Sequence, residues 1–163
     1  MSLAEHIKSS LQLPAFVVNG YLEDLTDADL LVRPAEKSNH INWQLGHLIQ
    51  SEHFHASQVC TDPLPELPAG FKERYSREAA ASDDPADFLG KAELVELMHQ
   101  QREVTLNALS KFSDEALMQP APESVSYLGP TVGCVFAGEA THWMMHAGQW
   151  SVIRRIIGKQ PLF

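Results

Sequence analysis

Four stretches of helical periodicity, separated by proline-rich connections, constrain this chain to a bundle of helices. The first covers about residues 3–24, where Leu3, Ile7, Leu11, Val18, Tyr21 and Leu22 share a face. Pro14 falls inside it and predicts a kink or a late start. Thr26-Asp27-Ala28-Asp29 reads as a short capped turn. The second helix is expected over 41–60, with Ser38 or Asn39 as its cap. The third is expected over 86–112, with Asp84-Pro85 as cap and first-turn proline and Leu89, Leu94, Leu97, Leu106 and Leu109 as apolar content. The fourth spans 131–157 and stops at Gly158. The connections 61–84 and 114–130 are long enough to cross the end of a bundle. No strand pattern competes. The reading is an all-α four-helix bundle with long crossover connections, one domain over residues 1–163.

The fourth stretch carries chemistry. His142 and His146 stand four apart, so on a helix both imidazoles share one face about 6 Å apart along the axis. Val135, Ile153, Ile156 and Ile157 fall within about 50° of the pair, which turns the histidines toward a core. A buried polar group without a partner costs about 1–3 kcal/mol. A metal supplies that partner, and a hydrogen bond is the alternative. Trp143 follows the first histidine where a zincin needs glutamate, which excludes a metalloprotease of that type.

A metal needs at least one more ligand, and His47, His53, His55, His99, Glu52 and Glu139 are the candidates. Three histidines would leave an open position, the arrangement of catalytic sites. On the second helix, Ile41, Leu45, Leu48, Ile49 and Val59 define an apolar direction with Glu52 at its middle. His47 lies nearly opposite, beside Trp43 and Phe54, and faces inward only if this helix is buried on two sides.

Trp43-x-x-x-His47-Leu48, His142-x-x-x-His146-x-Gly148-Gln149 and Arg154-Arg155-x-x-Gly158-Lys159, in this order, resemble the DinB-like (damage-inducible) superfamily. The resemblance implies a four-helix bundle of crossed, up-down-down-up topology, often a homodimer. It also implies one divalent transition metal held by His47, His142 and His146. Zn, Ni and Fe all suit imidazole ligands. Some members are thiol S-transferases that use low-molecular-weight thiols, which makes a small-molecule substrate the expected partner. A non-catalytic metal-binding or stress-response module is the alternative.

The net charge of −9 argues against nucleic acid and anionic membranes as partners. No apolar run is long enough to span a bilayer, and no secretory signal opens the chain. Cys60 and Cys134, far apart, fit a reducing cytoplasm. His6 and His40 are expected at exposed helix ends, His53 and His55 at the surface, and His99 in solvent. Glu139 is expected to orient an imidazole, and Gln149 shares the histidine face. Arg154 and Arg155 are expected to balance the fourth helix's dipole. Three Glu-x-x-His pairs (52/55, 96/99, 139/142) suggest a di-iron bundle only weakly, because that site needs further carboxylates.

Overall fold

Caps and tertiary hydrogen bonds decide where each helix begins. The computed structural model describes residues 1–162. In α1 (Leu3–Glu23), Ser2 accepts from the Glu5 amide and Glu5 accepts from the Ser2 amide, a reciprocal capping box. The helix begins at Leu3 and continues through Pro14, so there is no late start. Thr26 caps the single turn α2 (Asp27–Leu30) in the same way. Neither Ser38 nor Asn39 caps α3 (Ile41–Val59). His40 does, its Nδ1 accepting from the Trp43 amide at 3.1 Å. His40 is therefore fully buried rather than exposed, with its ring edge against Phe88.

The short helix α4 (Phe71–Arg74) precedes the third long helix, α5 (Lys91–Leu109). Asp84 does cap a turn, but it is the 3-10 turn Pro85–Asp87, and α5 starts only after Gly90. The reason is tertiary. Tyr75 Oη accepts from the Leu89 amide at 3.0 Å, and the Leu89 carbonyl accepts from Asn42 Nδ2 at 2.8 Å. Both backbone groups are thus taken before a helix can use them. Asp27 Oδ1, distant in sequence, accepts from the Lys91 amide at 2.6 Å and covers the new helix end. A short helix α6 (Asp114–Leu117) and a 3-10 turn, Glu123–Leu128, lead to α7 (Val132–Ile156), capped by Thr131.

All the regular structure among the described residues is helical, apart from one isolated bridge between Pro120 and Thr131. α7 lies between α1 and α3, and α3 also packs on α5, which touches α1 lightly. The order around the bundle is α1, α7, α3, α5. The first and second long helices are therefore diagonal, as are the third and fourth. The connections 24–40 and 110–131 make those crossings, whereas 60–90 joins neighbours.

Two apolar clusters fill the interior. One gathers Leu22, Leu45, Leu48, Ile49, Leu94 and Trp150; the other gathers Ile7, Leu11, Leu109, Leu117 and Phe136. Buried polar side chains occupy the helix positions between them: Glu52, His55, Gln101, Thr105 and Glu139. Glu52 Oε2 accepts from Trp143 Nε1 at 2.7 Å and meets Arg102 at 2.9 Å. Burial pushes the Glu52 carboxyl above its ordinary range, and the Arg102 charge opposes that rise.

Candidate metal centre

The segment 41–49 of α3 is buried at nearly every position, because α5, α7 and the connection carrying Phe71 of α4 and its C-cap Tyr75 surround it. Gly46 allows that enclosure. A Cβ there would lie 2.1 Å from the Tyr75 ring. With this connection packed on this side, the face opposite Leu45 and Ile49 is also interior. His47 sits there, its ring stacked on Trp43 with centroids 5.0 Å apart and planes 4° from parallel. Trp43 is held by its own Nε1, which donates to the Ser76 carbonyl at 2.8 Å.

α7 brings His142 and His146 to the same place. Ring centroids are 5.3 Å apart for His47 and His142, 5.5 Å for His47 and His146, and 5.1 Å for His142 and His146. One nitrogen from each ring lies within 4.8 Å of the others, a cluster that could hold a metal ion. Tetrahedral coordination at about 2.1 Å would place ligand nitrogens about 3.4 Å apart, so modest side-chain rotation closes the set.

The surrounding groups fit that use. Gln44 Oε1 accepts from His146 Nδ1 at 2.8 Å and from Trp150 Nε1 at 3.0 Å, while Gln44 Nε2 donates to the Asn39 carbonyl at 2.6 Å. The proton of His146 is thereby fixed on Nδ1, and Nε2 presents a lone pair. His142 Nδ1 is buried with no hydrogen-bond partner, as expected where a ligand is to bind. Burial, then the charges of His142 and His55, holds His47 down to about 4. Burial, then His142 and His47, holds His146 down to about 3. Burial lowers His142 also. All three are neutral at pH 7, the form that binds metals.

A cleft of about 520 Å³ opens beside the triad, lined by His47, His142, Ser51, His55, Tyr127 and Met145 among others. His55 is a correction to the surface expectation: it is 4% exposed and bonds Glu139 Oε1 and the Tyr127 hydroxyl. Glu139 does orient an imidazole, but that of His55, outside the triad. Gln149 is exposed, and Gln44 orients the triad instead. Ile156 is 54% exposed and leaves the apolar stripe. His53 bonds the Pro65 carbonyl, and the exposed His99 bonds Asn19. Arg154 is buried and binds Asp24 and the Tyr21 carbonyl of α1, so it ties two helices together rather than facing a substrate. Helical periodicity could not have singled out Gln44 or Tyr127, since neither breaks a pattern. No helix of the described residues is long and apolar enough to cross a membrane.

The model of the DinB superfamily matches residues 17–150, from the middle of α1 through Trp150 and thus across all three histidines. The chain belongs to the DinB superfamily. A solved structure, a conserved protein from Enterococcus faecalis, shares the fold of this superfamily member with a TM-score of 0.69. It is 15% identical, and the match covers 98% of this chain and 99% of that one. None of the curated proteins compared with the chain matches it.

Proposed function

We propose that this protein is a metal-dependent enzyme that acts on a small molecule, with one divalent ion held by His47, His142 and His146. The observation that carries the reading is the convergence of three neutral imidazoles, one nitrogen of each within 4.8 Å of the others, with His47 and His142 on the wall of an open cleft. Zn, Ni and Fe are the candidate ions, because each accepts imidazole ligands. A bound ion would supply Lewis acidity and hold a deprotonated donor such as a thiolate. The protein's own groups supply the rest. Gln44 orients His146, Trp43 supports the His47 ring, and Met145 and Leu128 add apolar wall to the cleft.

Transfer of a low-molecular-weight thiol to an electrophile is the reaction class proposed, because some members of the superfamily are thiol S-transferases and a metal can hold a thiolate. Three ligands leave room for a substrate atom, whereas a structural site is closed by a fourth protein ligand. Metal content of the purified protein, with zinc or nickel affinity for each variant, tests the proposal. Wild type is expected to hold one ion per chain. Full occupancy retained after His142→Ala and His146→Ala together would sink it. Water exchange on the bound ion separates the enzyme from a closed, purely structural site.

Met145, Val152 and Ile156 form an exposed apolar face on α7, which supports pairing of two copies. Light scattering on Val152→Glu tests this, with a monomer expected.

A further inference from the structure

Three side chains beside the triad form a hydrogen-bonded line that the triad does not use. Glu139 on α7 is 2% exposed, and its Oε1 lies 2.5 Å from His55 Nδ1 on α3. His55 Nε2 in turn lies 2.5 Å from the hydroxyl of Tyr127. Tyr127 belongs to the 3-10 turn Glu123–Leu128, and that turn is clamped in place. Val125 is fully buried. Ser124 Oγ donates to Gln58 Oε1 on α3 at 2.8 Å. Leu128 lies over Gly138 of α7, where an added Cβ would come within 3.2 Å of it. His55 and Tyr127 line the same cleft as His47 and His142, and the His55 and His142 rings are 6.4 Å apart.

The order of the three groups sets the direction of each bond. A carboxylate accepts, so His55 Nδ1 carries the ring proton. With the ring neutral, Nε2 is a lone pair and accepts from the Tyr127 O–H. Partial burial, then the Glu139 charge, pushes the phenol's pKa up and keeps it protonated. Its single proton is thus committed inward, and the oxygen retains acceptor capacity only. Tyr127 is 70% exposed as a residue, so water could have satisfied its hydroxyl. The hydroxyl is instead turned onto a buried pair at the edge of the cleft.

We infer that Tyr127 reads the ligand in this cleft, its oxygen accepting a hydrogen bond from a small molecule seated at the histidine triad, with His55 and Glu139 as positioning residues. The class selected is a small molecule with a hydroxyl or amino donor a few bonds from the atom that meets the metal. An otherwise equal molecule with only an acceptor there is disfavoured. The inference rests on the metal-site reading above.

The test uses cobalt-loaded protein titrated with short mercaptoalcohols of increasing chain length and with their methyl ethers, followed by the visible absorption of the cobalt. At the best-fitting length, wild type is expected to prefer the alcohol by about tenfold, the effect of one hydrogen bond. Tyr127→Phe is expected to bring alcohol and ether to parity, with the Kd for cobalt alone unchanged. His55→Gln is expected to reduce the same preference, a ratio that a general loss of stability would not move. Equal binding of alcohol and ether by wild type at every length, or a preference that survives in Tyr127→Phe, overturns the inference and leaves the metal reading standing. Failure of wild type to take up cobalt overturns both.

Discussion

Gln44 has no charge and no place in a recognisable motif, yet it holds His146 and Trp150 through one oxygen. Replacing it with leucine leaves two buried donors without an acceptor. Gln44→Leu is expected to lower stability by about 2 kcal/mol and to weaken zinc binding by about 10–100-fold. Denaturant unfolding and chelator competition measure the two effects separately. Unchanged zinc affinity would make Gln44 a packing residue only. The histidines themselves predict a pH dependence. Burial holds His47 down to about 4 and His146 down to about 3 in the folded chain, below the ordinary histidine value of 6.5. The folded state therefore binds fewer protons than the unfolded state in that range. Their contribution is fully present above pH 6.5 and is lost as pH falls toward 4 and then 3. The metal-free protein should lose stability over that window, and bound zinc should dissociate as protons compete for the same nitrogens. Denaturant midpoints that stay flat between pH 7 and pH 5 would contradict this assignment.

At the scale of elements, the course of α3 past Tyr75 determines whether His47 faces the interior. Tyr75 is 1% exposed and bonded at its hydroxyl, so its ring cannot yield to an added methyl on Gly46. Gly46→Ala is expected to cost about 1–3 kcal/mol and to weaken metal binding as α3 moves away from α7. Thermal unfolding together with metal titration checks both. At the far end of α7, Arg154 binds Asp24 and Lys159 lies near the same carboxylate. The hydrogen bond from Arg154 holds Asp24 below its ordinary range. That tie is present above the unfolded carboxylate pKa and is lost as pH falls through the lower folded value. Arg154→Met should flatten this part of the acid-unfolding profile, and hydrogen exchange should show faster opening of the last turn of α7.

At the scale of the whole molecule, the polar layer between the two apolar clusters is a cost that the fold carries. Glu52 is 1% exposed and its second oxygen has no partner, nor has Arg102 Nη1. Arg102→Met alone leaves a buried carboxylate uncompensated and is expected to cost about 3–5 kcal/mol. Glu52→Gln combined with Arg102→Met is expected to cost less than Arg102→Met alone, since no unpaired charge remains. Equilibrium unfolding of the single and double variants decides between this account and simple packing.

Local pattern was enough for the all-α class, the four long helices and the inward-facing pair His142 and His146, because helical period and caps act within a few residues. Resemblance, rather than periodicity, picked out His47, whose place on the wheel lies opposite the main apolar stripe. Tertiary structure alone decided the remainder. It buried α3 on a second side through Tyr75 and Phe71, delayed α5 by taking both backbone groups of Leu89, and brought His55, Glu139 and Tyr127 into one line. Each of those outcomes depends on contacts between residues far apart in the chain, and hydrophobic periodicity within one helix holds no information about the helix or loop that will cover its other side.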